Sequence, residues 1–327
     1  MPDHEVDVVG VGNAIVDVIA HATDDFIDEQ GIEKGAMTLI DDDRAHELYD
    51  LMGPGIEASG GSAANTVAGV ASFGGTAAYI GKVRDDTLGE VFAHDMRATG
   101  VHYDVPAAAD GPATARCLIL VTPDAQRTMS TYLGISSLLE PADVTASTVE
   151  AGRILFCEGY LWDVESAKQA IRRAMELARG AGRRVAFTAS DTLCVERHHS
   201  EFMELVAGPI DILFANEAEL RAMFGPVDFD AVVERIRGHV ELACLTRGAK
   251  GSVLVTADET VVVAPETVDR VVDTTGAGDQ YAAGVLYGLA RGLDLPTVGR
   301  LGSLAAAEVI SHVGPRPLTP LRNLLPT

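Results

Sequence analysis

Asp273-Thr274-Thr275-Gly276-Ala277-Gly278-Asp279 packs two glycines and two acids into seven residues. Residues 267–272 before it read as a strand or its end. In residues 280–291 after it, Tyr281, Val285 and Leu289 fall at helical spacing. The seven residues are therefore a tight turn entering a helix. Glycine lets the backbone approach a ligand with no Cβ in the way. The free N–H groups of the helix's first turn suit an anion. Asp279 lies in that turn, where its carboxylate meets the same partial positive charge that would hold a phosphate. A base beside an anion hole suits phosphoryl transfer to a hydroxyl. The turn alone reads equally well as an ordinary favourable helix start.

Composition narrows the choice. The chain has 327 residues, with 25 basic side chains against 48 acidic ones, a net charge of −23. A nucleic-acid partner needs a basic footprint, and none stands out. An acidic chain is equally ill suited to a membrane surface, and no apolar run is long enough to span a bilayer. Any anionic substrate must be met by local donors. Cys117, Cys157, Cys194 and Cys244 are scattered, without a C-x-x-C pair, so neither structural zinc nor a disulfide framework is expected. They read as reduced thiols in cytoplasm. His198-His199 reads as a solvated pair. Asp3, His4 and Glu5 are wrong for the start of a signal peptide.

Working outward from the turn, residues 6–11 form an apolar run that reads as a buried first strand. Gly10 and Gly12 invite a dinucleotide-binding reading, which Ile15 weakens by standing where a third glycine belongs. Residues 15–20 extend further, with Asp17 able to serve a sugar diol beside Asn13. Asp41 to Asp43 start a helix reaching residue 52. Gly60 and Gly61 precede Asn65 and a helix of small residues. Residues 113–121 and 127–133 read as a hairpin. From residue 153 onward strands and helices alternate, including an amphipathic helix over 165–179 and a hairpin over 252–255 and 260–263. That alternation predicts an α/β fold, three layers with a mostly parallel central sheet. The early strands near 15–20, 35–40 and 113–133 break the alternation and predict a small β-lid. The expected organisation is one domain over 1–327, with lid segments at about 14–58 and 113–133. The proline-rich tail, 315–327, reads as extended.

Four places carry a family resemblance. Asp273 to Asp279 has every fixed position of D-T-x-G-A-G-D. Gly60-Gly61-Ser62-Ala63-Ala64-Asn65 is similar to G-G-x-x-x-N. Asn216-Glu217-Ala218-Glu219 matches N-x-x-E, and Thr246-Arg247-Gly248-Ala249-Lys250-Gly251 matches T-x-G-x-x-G. Singly, N-x-x-E reads better as a helix cap, and the others as turns. In this order they resemble the ribokinase-like, or PfkB, carbohydrate kinases, over nearly the whole chain.

The resemblance implies ATP with magnesium, and a small nucleoside or sugar as acceptor. It makes Asp279 the base and the Gly276, Ala277 and Gly278 amides the anion hole. It places Asn216, Thr246, Arg247, Gly248, Gly251 and Thr274 along ATP, with Asn216 and Glu219 organising the metal through water. Some relatives need potassium, which no residue here decides. Gly10-Val11-Gly12-Asn13-Ala14-Ile15-Val16-Asp17 resembles the opening of the adenosine kinase branch. That likeness implies Asn13, Asp17, Gly60, Gly61 and Asn65 at the ribose. It also implies a lid arginine, Arg127, closing on the phosphates, and Met37, Leu133 and Tyr160 at the base. Met37 stands where vertebrate-type enzymes carry glutamine, so guanosine, inosine or a free sugar stay open beside adenosine. Rival readings are an NAD-linked oxidoreductase and a non-catalytic nucleoside-binding protein. Monomer and homodimer are both open.

Overall fold

The computed structural model describes residues 6–124 and 126–325. The reading of Asp3 to Glu5 and the last two residues of the tail lie outside them. In chain order the strands begin β1 (Val6–Val11), β2 (Ile15–His21), β3 (Met37–Leu39), β4 (Ile56–Gly60), β5 (Ala77–Ile80), β6 (Val101–His102) and β7 (Ala115–Val121). They continue as β8 (Arg127–Tyr132), β9 (Gly152–Glu158), β10 (Arg184–Thr188), β11 (Ile212–Asn216), β12 (Leu242–Thr246), β13 (Ser252–Val255) and β14 (Thr260–Val263). The helices are α1 (Asp24–Glu29), α2 (Asp42–Leu51), α3 (Ser62–Ser72), α4 (Thr87–Ala98), α5 (Ala146–Ala151) and α6 (Glu165–Gly180). Then come α7 (Thr192–Arg197), α8 (His199–Ala207), α9 (Glu217–Phe224), α10 (Phe229–Ile236), α11 (Ala277–Ala290) and α12 (Leu295–Val309).

Nine strands form the central sheet in the order β14-β13-β12-β11-β10-β9-β1-β5-β6. Pairing is parallel from β6 to β12, and the β13–β14 hairpin adds antiparallel pairs at one edge. Because β1 is central, both of its faces are covered. Val9 and Val11 join the core under α5 to α10, while Val8 joins the core under α3, α4, α11 and α12. That is why the run is apolar without alternating. In α6, Ala167, Ala170, Ile171, Ala174, Met175 and Ala178 are buried, so the stripe read from the sequence is the packed face. The result is the expected three-layer α/β/α fold with a lid.

The lid is a second, five-stranded sheet in the order β3-β8-β7-β2-β4. Its middle is β2 and β7, paired in parallel, with β8 returning antiparallel from β7. Strand β4 was not foreseen. Residues 56–60 are small or exposed and carry no strand pattern, and they become a strand only by pairing with β2. Helix α1 was not foreseen either. It has six residues and starts on the Thr23 hydroxyl, which accepts from Phe26 N.

Residues 267–272 are not a strand. Val271 is exposed, no neighbouring strand pairs with the segment, and Val272 N donates to Ile310 O instead. His198 is not solvated as expected. Its Nε2 lies 2.6 Å from an Asp163 oxygen, and the side chain is largely covered. His199 Nε2 contacts Met223 O.

Candidate active site

A cleft of about 780 Å³ opens between the two sheets. It lies outside the carboxyl ends of the parallel strands, where open α/β sheets bind ligands. Asn13 follows β1, Glu158 ends β9, Thr188 ends β10, Asn216 ends β11 and Thr246 ends β12; all line it. From the lid come Ile15 and Asp17 on β2, Met37 and Leu39 on β3, and Cys117 on β7.

The turn into α11 forms part of the floor. Gly276 has φ 76° and its backbone lies against Pro315, so only glycine fits there without strain. A Cβ at Gly278 would meet open space, so this residue faces the cleft. Asp273 shapes the turn from behind: Oδ1 accepts from Thr275 N and Oγ1, and Oδ2 accepts from Gly314 N.

Asp279 projects from the first turn of α11. Its Oδ1 accepts from Ser62 Oγ at 2.7 Å, and Oδ2 accepts from Asn65 Nδ2 at 3.1 Å. Burial pushes its carboxyl up to about 6, against those two hydrogen bonds and the nearby Arg316 charge. Asp17 is buried and pushed up to about 7, chiefly by loss of water; Arg316 and Arg127 pull it down, and Asp279 pushes it up.

Glu158 escaped the sequence reading. It is fully buried, accepting from Asn13 N, Asn13 Nδ2 and Ala63 N at 2.8–2.9 Å. Burial raises its carboxyl to about 7. Since Ser136 Oγ also donates to Asn13 Oδ1, the Asn13 side chain is fixed at both ends. Arg316 escaped too. Its guanidinium donates to Asn65 Oδ1 at 3.1 Å and Ser59 Oγ at 2.6 Å. Neither residue stands in a recognisable motif, so no local signal pointed to them. Leu39, Leu193 and Ser190 are further cleft residues outside the motifs. Ser190 has φ 74°, and its hydroxyl accepts from Gly159 N and Tyr160 N.

Of the residues singled out from sequence, Asn13, Asp17, Met37, Gly61, Asn65, Leu133 and Tyr160 all line the cleft. So do Asn216, Glu219, Thr246, Thr274, Gly276, Ala277, Gly278 and Asp279. Five do not. Gly60 ends β4 with its backbone pressed against the Asp17 carboxylate, leaving that side chain its room. Arg247 turns away, its guanidinium 3.9 Å from the centre of the Phe229 ring and near Glu217. Gly248 and Gly251 shape the turn into β13, both at positive φ. Arg127 does reach the turn before α11, but Asp273 and Thr275 hold it there at 3.0 Å.

Asn216 and Glu219 form a capping box at the start of α9: Asn216 Oδ1 accepts from two amides and Glu219 accepts from Asn216 N. The helix-cap reading is thus correct, and both side chains still face the cleft.

A family model described as pfkB family carbohydrate kinase matches residues 53–322. The chain belongs to the pfkB carbohydrate kinases. It is 50% identical to the solved adenosine kinase from Sinorhizobium meliloti, over 98% of both chains, with a TM-score of 0.91. It is 46% identical to a "probable sugar kinase protein from Rhizobium etli CFN 42", again over 98% of both, with a TM-score of 0.92. A curated relative, an "Uncharacterized sugar kinase" of Archaeoglobus fulgidus, is 28% identical across 76% of this chain and 96% of its own.

This pfkB kinase is a phosphotransferase with a hydroxyl acceptor, and its family uses ATP. The oxidoreductase reading has no support. Gly10 packs against Val67 and Tyr79, and Gly12 against Glu158 and Ala63, so their missing side chains serve packing.

The residues present suit the phosphates and the metal. The Gly278 backbone faces the cleft, and one guanidinium nitrogen of Arg127 is buried without a hydrogen-bond partner. Glu219 lines the cleft, its carboxyl raised to about 7 chiefly by burial, with Asp191 adding to the rise. One carboxylate with water and phosphate oxygens is a usual set for magnesium.

Proposed function

We propose that the protein is an ATP-dependent nucleoside kinase, with adenosine as the favoured acceptor and the ribose 5′-hydroxyl as the phosphorylated group. One observation carries this reading. Asp279, Asp17 and Asn65 line a cleft that Met37, Leu39, Leu133, Leu193 and Tyr160 also line, so polar groups for a sugar and apolar side chains share one cavity. A sugar needs the polar groups alone, whereas a flat base gives the apolar side chains something to pack against. The half-identical adenosine kinase relative supports the same acceptor.

In this reading Asp17 and Asn13 hold the ribose diol, with Gly61 backing the sugar. Gly61 has φ 95° and lies against Asn13 O, so the chain turns there at close range. Asp279 takes the proton from the 5′-hydroxyl as that oxygen attacks the γ-phosphorus of ATP, whose bond to the bridging oxygen breaks and releases ADP. The Gly276 and Gly278 amides meet the charge on the migrating phosphoryl group; Ala277, expected to join them, instead donates its N–H to Thr274 O within the turn. Removing one such donor elsewhere costs about 10²–10³ in kcat. Thr246, Thr274 and Asn216 border ATP. Magnesium, held through water by Glu219 and Asn216, would neutralise the triphosphate. The lid excludes water, which limits wasteful ATP hydrolysis. Four buried free thiols suit a reducing compartment, and we place the enzyme in the cytoplasm.

The curated sugar-kinase relative favours a second reading, a kinase for a free sugar. An acceptor panel with ATP, assayed for ADP release with and without potassium, separates them. Adenosine is expected to give the highest kcat/KM. Higher values for ribose, fructose or a ketodeoxy acid would overturn the nucleoside reading.

A further inference from the structure

Asn65 must present its NH2 group, not its oxygen, to Asp279; an amide turned the other way would set oxygen against carboxylate. Within α3 nothing makes that choice. Arg316 does. Its Nε donates to Asn65 Oδ1 at 3.1 Å while Asn65 Nδ2 donates to Asp279 Oδ2 at 3.1 Å. A guanidinium only donates and keeps its charge. Turning the amide over would therefore create a donor–donor clash on one side and an acceptor–acceptor clash on the other.

Arg316 is itself held on several sides. It donates to Ser59 Oγ on β4 and reaches Met96 Sδ on α4. Its neighbour Pro315 accepts from Gln280 Nε2, which also donates to Asn65 O. Ser59 N in turn donates to Asp95. The tail thus joins the lid strand β4, helix α3 and helix α11 behind the cleft floor. The charged groups acting on this region are Asp17 from β2, Asp95 from α4, Arg127 from β8, Glu158 from β9 and Asp279 from α11.

We propose that Arg316 is a positioning residue for the phosphoryl transfer: it sets the Asn65 amide so that Asp279 is aimed at the acceptor hydroxyl, and ties that setting to the lid through Ser59. This rests on Asp279 as the base. Its cationic charge also favours the ionised carboxylates of Asp279 and Asp17.

The test compares Arg316→Met, which keeps the length of the stem, with Arg316→Lys, which keeps the charge. Both are assayed with adenosine and ATP, well below their melting temperatures. Arg316→Met is expected to lose on the order of 10²-fold in kcat, as a misplaced catalytic group does. Its KM for ATP should stay unchanged, and the acid limb of its kcat/KM profile should move to higher pH. Arg316→Lys should return the limb towards its wild-type position with only part of the kcat. An acid limb that does not move in Arg316→Met overturns the proposal, whatever its kcat. If Arg316→Met does not fold, Arg316→Lys decides alone: reduced kcat on the wild-type limb supports the proposal, and wild-type kcat overturns it. Asp279→Asn, run alongside, isolates the underlying reading. Full turnover there removes the base assignment, whereas an inactive Asp279→Asn beside a wild-type-like Arg316→Met removes only the role of Arg316.

Discussion

Asp279 lies between opposing influences. Burial favours its neutral form, while Ser62, Asn65 and Arg316 favour the carboxylate. Asp17 is raised further, chiefly by burial, with Asp279 adding the smallest share. A base works only when ionised, so kcat/KM is expected to fall as pH drops through about 7 and then about 6. Asp17→Asn should leave a single step and raise KM for the acceptor; a pH–rate profile shows both. The same variant checks stability. A carboxyl raised from 3.8 to about 7 contributes stability below its unfolded value, and that contribution is lost as pH rises through the folded one. Asp17→Asn should therefore melt above wild type at pH 8, with the advantage shrinking towards pH 4, as thermal unfolding at several pH values would show. Asp279→Asn should keep ATP binding and lose roughly 10²–10⁴-fold in kcat. A variant with undiminished turnover would remove the mechanism.

At the scale of elements, the start of α11 combines structure and function at two glycines on either side of Ala277. Gly278→Ala places its Cβ in open space within the cleft. Its melting temperature should hold, with stability within about 0.5 kcal/mol of wild type, while kcat falls because the phosphates lose room. Gly276→Ala forces a side chain into φ 76° against Pro315, so melting temperature and kcat should both drop. Finding the two variants alike in stability would contradict this division. The capping box at α9 is a related case. Asn216→Ala should cost about 1 kcal/mol from the lost cap, and should also raise the magnesium concentration needed for half-maximal rate. An unchanged magnesium dependence would leave Asn216 with the helix alone. Elements with strong local signals were legible beforehand. The α6 stripe, the acidic start of α2 and the β13–β14 hairpin all formed where the pattern placed them. Strand β4 was not legible, because its pairing partner β2, not its own residues, makes it a strand.

For the whole molecule, Arg127 joins the lid to the turn before α11. Arg127 on β8 pairs with Asp273 and donates to Thr275, while its own chain position lies about 150 residues away, a separation of 148 for the Thr275 contact. Arg127→Ala should loosen the lid, raising the ratio of ATP hydrolysed to acceptor phosphorylated. Hydrogen exchange should quicken in β7 and β8. A tight coupling ratio with unaltered exchange would mean that other contacts hold the lid closed.

The sequence by itself determined the pfkB fold, the acid in the first turn of α11, and the glycines of the turn before it. These are local properties: turn geometry, cap chemistry and apolar period are written within a few neighbouring residues. Only the tertiary structure decided that Glu158 fixes Asn13 and Ala63, that Ser62 meets Asp279, and that Arg316 meets Asn65 across 251 positions. A hydrogen bond between side chains so distant in the chain leaves no periodicity or spacing to read. It exists because packing the two sheets and the tail brings donor and acceptor together where water is excluded.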